Sequence, residues 1–94
     1  MSFSDMVVGE NGLLVELRCH NSFNETIYTD ITEYLGAQLP DWKSTGFIPV
    51  ADAVPLFSLI DELSGGSQFW SEEVELRVED AVLEIQEMVS SLEE

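Results

Sequence analysis

Met6-Val7-Val8-Gly9-Glu10-Asn11-Gly12-Leu13-Leu14-Val15-Glu16-Leu17-Arg18-Cys19 is the stretch on which the fold assignment turns. Two apolar runs flank Gly9-Glu10-Asn11-Gly12. Asn-Gly tolerates positive φ at both positions, so it favours the tight turn of a β-hairpin. In the second run Leu13, Val15, Leu17 and Cys19 alternate onto one face of a strand, the expected core face. Leu14, Glu16, Arg18 and His20 take the other face. Cys19 and His20 then point to opposite sides and cannot chelate together.

Downstream of this hairpin, residues 21–24 read as a loop. Thr26-Ile27-Tyr28-Thr29 is rich in β-formers and predicts a third short strand. Asp30 with Glu33 three residues later has the pattern of a capping box, followed by Ile31, Tyr34 and Leu35 at helical spacing. Pro40 ends that helix by Leu39. Asp41-Trp42-Lys43-Ser44-Thr45-Gly46 then reads as a polar loop carrying one large aromatic. Phe47-Ile48-Pro49-Val50 is a short extended piece, and Pro55 suits the first turn of the next helix. Leu56, Leu59, Ile60 and Leu63 form its stripe, and Gly65-Gly66 ends it. Ser71 caps a last helix spanning residue 72 to about 92, roughly 30 Å at 1.5 Å per residue. The expected fold class is α+β: a small antiparallel sheet, made of the N-terminal hairpin and one or two short strands, packed with two short helices and one long acidic C-terminal helix. Ninety-four residues are expected to form a single small globular domain, residues 1–94.

Nineteen Asp and Glu face three basic residues, Arg18, Lys43 and Arg77, for a net charge of −16. That balance opposes direct nucleic-acid binding, which needs Lys and Arg against phosphate, and opposes an anionic membrane surface. One Cys and one His exclude an internal disulfide, a cysteine-rich zinc site and any site built on two histidines. The apolar fraction of 45% is ordinary for a folded domain and speaks against wholesale disorder. The first residues lack a basic segment followed by a long apolar one, so no targeting signal is expected. The free thiol suits a cytoplasmic location.

The charge is concentrated in the last helix. Residues 71–94 hold nine acids and only Arg77, a net of −8, half of the total. At 100° per residue Val74, Val78, Ala81, Val82, Ile85, Met88, Val89 and Leu92 share one face, which is expected to dock on the core. Glu73 and Arg77, four apart in the favourable order, are expected to pair. Leu76 and Leu83 lie opposite the core face, among Glu72, Glu75, Glu79 and Glu87. Three explanations stand for them: scattered surface leucines, a second packing surface, or an apolar anchor inside a charged rim.

No nucleophile–base constellation, cofactor motif or calcium-loop spacing is present, so the chain is read as a non-enzyme with no cofactor. The charge and the leucines point to an acidic binding protein that neutralises a basic partner protein, for example a nuclease toxin or another nucleic-acid-binding protein. In charge and size alone such a chain resembles acidic immunity proteins and nucleic-acid mimics. The residues expected to meet the partner are Glu72, Glu75, Leu76, Glu79, Leu83 and Glu87, with Trp42 as a further contact. The alternative is a non-catalytic adaptor or subunit of an assembly, whose acidity serves solubility or salt adaptation. Two helices carrying −8 each repel, so a monomer is expected in preference to a homodimer through this acidic face.

Overall fold

Ser2 starts the first helix. Its hydroxyl accepts from the Asp5 amide at 3.1 Å while the Asp5 carboxylate accepts from the Ser2 amide, a reciprocal cap. The computed structural model describes residues 2–65 and 70–93 and contains, in order, α1 (Phe3–Val8), α2 (Leu13–His20), α3 (Glu25–Thr45), α4 (Val50–Gly65), α5 (Glu72–Ser90) and a closing 3-10 turn, Ser91–Glu93. No strand occurs among the described residues, so the fold is all-helical and the expected α+β architecture, with its antiparallel sheet, is incorrect.

The correction begins at the apparent hairpin. Leu13, Leu14 and Leu17 are buried, the i, i+1, i+4 spacing of a helix, whereas Cys19, assigned to the strand's inner face, is exposed. Gly9 and Gly12 have φ of −67° and −78°, so neither adopts the left-handed conformation that a tight hairpin turn needs. What they supply is the absence of a side chain. A Cβ on Gly9 would lie 2.6 Å from the Asp5 carbonyl oxygen, and one on Gly12 would lie 2.8 Å from the same atom. The two glycines therefore let the start of α2 close against the end of α1.

α3 begins five residues before the expected Asp30 cap. The Asn24 side chain accepts from the Ile27 amide at 3.0 Å, and the segment 26–29, expected as a strand, is helical. The helix also continues through Pro40, where a stop was expected. Pro40 is exposed, so water can meet the carbonyl that its missing N–H leaves free. Continuation carries Trp42 into the core, and burying a tryptophan offsets a proline cost of about 3 kcal/mol. Gly46, at φ +78°, then ends the helix in the left-handed conformation that glycine adopts freely.

α4 starts at Val50, five residues ahead of Pro55, which lies buried within it. Leu56, Leu59 and Leu63 point into the core and Ile60 is half-buried, as the apolar stripe predicts. Gly66, the second glycine of the expected terminator, lies outside the described residues. α5 keeps its expected start, with the Ser71 hydroxyl accepting from the Val74 amide at 3.3 Å. Val78, Ala81, Val82 and Ile85 are buried on its expected core face.

α1 packs on α2, α3 and α4, and α5 covers α3 and α4. One cluster from Phe3 to Ile85 joins side chains of all five helices. Where α1, α3 and α4 meet, Phe3 stacks on Tyr34 with ring centroids 4.9 Å apart. The Tyr34 hydroxyl donates to Oδ1 of Asp52 at 2.8 Å, giving this buried carboxylate a partner. Burial, with the Asp52 bond adding to it, pushes the Tyr34 hydroxyl above its ordinary pKa.

Candidate functional site

The outer face of α5 is positioned by its inner one. With Val78, Ala81, Val82 and Ile85 fixed in the core, the helical repeat turns Leu76 and Leu83 outward, 56% and 62% exposed. Glu72, Glu75, Glu79 and Glu87 are exposed on the same side. Among the described residues none of these four carboxylates takes part in an ion pair. The result is a strip about 22 Å long from residue 72 to 87, with two leucines along its middle and negative charge at its margins.

Trp42, expected as a contact residue on a loop, does not join this strip. It is 4% exposed within α3, and its buried indole N–H meets no acceptor among the described residues. It belongs to the packed core, which leaves little of it on the surface.

Beside Leu76 the α5 strip borders a cleft of about 720 Å³, between the segment from Asn21 to Phe23 and the first turns of α5. Glu25, Glu73 and Asp80 line it along with Leu76 and Arg77. The left-handed Asn21, φ 49°, ends α2 and turns the chain toward this cleft, where its side chain accepts from the Ser71 amide at 3.3 Å.

Arg77 does not pair with Glu73 as the spacing along α5 predicts. Its Nε and Nη2 donate to the two carboxylate oxygens of Glu25, at 2.7 and 2.9 Å, and its Nη1 donates to Glu84 at 3.3 Å. Its guanidinium also lies over the rings of Phe23 and Tyr28, 4.7 and 4.8 Å from their centroids. A planar fork against a carboxylate, with aromatic faces beside it, outweighs the few tenths of a kcal/mol available to an exposed i,i+4 pair. The hydrogen bonds from Arg77 hold the Glu25 carboxyl below its ordinary pKa, and the pair raises that of Arg77 in turn. Burial pushes the Tyr28 hydroxyl up to about 12, and Glu84 adds to the shift. Phe23 precedes α3, Glu25 and Tyr28 belong to α3 and Arg77 to α5, and no spacing along the chain signals their meeting.

The arrangement offers charge, apolar contact and a shallow cleft, and it contains no nucleophile held by a base. Cys19 and His20, in the last turn of α2, are both exposed. Among the described residues no three of His, Cys, Asp and Glu converge as metal ligands, and no helix is long and apolar enough to cross a membrane. Comparison with family models, with curated proteins and with solved structures gave no match.

Proposed function

We propose that the chain is a non-catalytic acidic binding protein whose α5 outer face covers a basic surface of a partner protein, of the kind that nucleases and other nucleic-acid-binding proteins carry. The observation that carries this reading is the exposure of Leu76 and Leu83 inside a margin of unpaired carboxylates. The leucines supply the contact that excludes water, and Glu72, Glu75, Glu79 and Glu87 meet Lys and Arg around it. The cleft beside Leu76, lined by Glu25, Glu73 and Asp80, accepts one long basic side chain along its apolar stem. With a net charge of −16, approach to a basic partner is steered over a Debye length of ~10 Å at 0.1 M salt.

The test separates the two kinds of contact. A basic partner captured from native lysate is identified and purified, and its binding kinetics are followed at two salt concentrations. Glu75→Lys with Glu79→Lys is expected to slow association and flatten its salt dependence, since charges at the margin act on encounter. Leu76→Ala with Leu83→Ala is expected to speed dissociation, since desolvated anchors act on lifetime. If both double variants bind as the parent chain does, the reading fails.

A further inference from the structure

Among the described residues, five of the seven exposed large apolar side chains lie away from α5: Val8, Phe47, Val50, Val54 and Phe57. Val50, Val54 and Phe57 are 77%, 59% and 70% exposed, and they share one stripe of α4 opposite the buried Leu56, Leu59 and Leu63. Two shallow hollows flank the stripe. One, of about 380 Å³, is walled by Val8 and Ser4 of α1 with Val50 and Val54; the other, of about 510 Å³, lies beside Phe57 and Asp61. The charge pattern is as unusual as the exposure. Within residues 46–60 of a chain with net charge −16 the sole charged residue is Asp52, and it is buried against Tyr34.

We propose that this face binds a second copy of the same chain, with the two α4 helices antiparallel about a twofold axis. The stripe Val50, Val54, Phe57, Asp61 has spacings of four, three and four, so it reads the same in both directions. Reversed on itself, it sets Val54 against Phe57 of the second copy and Asp61 against the start of the second α4, the self-complementarity that a twofold contact requires. That helix start is suited to a carboxylate. Pro49 stands before it, its carbonyl accepting from Asp52 and Ala53, and has no side-chain oxygen to cap the first amides. Asp61 of one copy supplies the negative charge that the positive end of the other helix favours. Elsewhere two such chains repel, whereas along this stripe the one charge is that of Asp61, which meets a helix start. This inference does not depend on the proposed function, because the α5 strip lies on a different helix and stays open in such a dimer.

The test is light scattering coupled to size exclusion on the full chain, over a concentration series at low salt and at ~0.5 M NaCl, where screening shortens the range of repulsion to a few ångströms. The expected result is a particle of twice 10.5 kDa that becomes tighter as salt rises. Val54→Glu with Phe57→Glu is expected to give a monomer throughout with an unchanged helical circular-dichroism spectrum, since both side chains are exposed. Asp61→Lys is expected to weaken the dimer about tenfold, through two equivalent contacts. Leu83→Glu is expected to leave it intact. A chain that is monomeric at its highest concentration in high salt overturns the proposal and leaves the α4 face to a different protein. A dimer that survives Val54→Glu/Phe57→Glu, or that Leu83→Glu abolishes, overturns it by placing the contact elsewhere. A dimer indifferent to Asp61→Lys overturns the antiparallel register.

Discussion

Arg77 of α5 and Glu25 of α3 are joined by two parallel hydrogen bonds, 2.7 and 2.9 Å, across the seam where these helices meet. The guanidinium is held between this carboxylate and the rings of Phe23 and Tyr28, so one cation of three is spent on attaching α5 to the body of the domain. Arg77 also reaches Glu84 on its own helix, but it pairs with none of Glu72, Glu75, Glu79 and Glu87.

Replacing that fork by a point charge is expected to loosen the seam. Arg77→Lys keeps the charge and loses the bidentate geometry and much of the stacking. A loss of about 1–2 kcal/mol is expected in urea unfolding followed by circular dichroism, with Arg77→Ala losing more. Equal stability of Arg77→Lys and the parent chain would show that charge alone matters at this position.

Acid should undo the same contact. The folded pKa of Glu25 lies below its ordinary value of 4.5 because Arg77 hydrogen-bonds its ionised form. Its contribution is therefore fully present above 4.5 and is lost as pH falls through the folded value. The stability difference between the parent chain and Glu25→Gln is expected to be constant from neutral pH down to that point and to shrink below it. A difference that grows on acidification would reverse the assignment.

Salt should stabilise the domain. A net charge of −16 repels itself more in the folded chain than in the expanded one, and added ions screen that repulsion. Melting temperature is expected to rise between very low and ~0.1–0.2 M NaCl. A parallel titration with a divalent chloride at equal ionic strength separates screening from specific ion binding. A flat or falling melting temperature in NaCl would contradict this account.

The junction of α1 and α2 should tolerate no side chain. An added Cβ at Gly9 or Gly12 meets backbone atoms of α1 at 2.6 to 3.2 Å, and backbone cannot swing aside as a flexible side chain can. Gly12→Ala is expected to cost about 1–3 kcal/mol, as overpacking does. Gly36→Ala, with nothing within 4 Å of the new methyl group, is expected to be neutral or stabilising. Thermal melts of the two variants provide the comparison.

The last helix was legible in the sequence because everything that defines it is local. Ser71 caps it, acids fill its first turn, and apolar residues recur at one period over five turns, which together set its start, its inner face and the outward turn of Leu76 and Leu83. Net charge, and the functions that charge excludes, follow from counting. Tertiary structure decided the rest. Residues 13–19 are short enough that alternation and helical spacing both fit, and only packing against α1 selects the helix that buries Leu14 and exposes Cys19. Pro40 and Pro55 read as boundaries by local rules, yet both lie inside helices, and the turns beyond them bury Trp42 and Asp52. Beginning α4 at Pro55 leaves Val50 and Val54 off the helix, which hides the exposed stripe they form with Phe57. Arg77 prefers a carboxylate fifty-two residues away to Glu73 on its own helix, because the fold brings that carboxylate and two aromatic faces within its reach. Local periodicity sets the faces of a long helix; what each face meets depends on contacts between residues far apart in the chain.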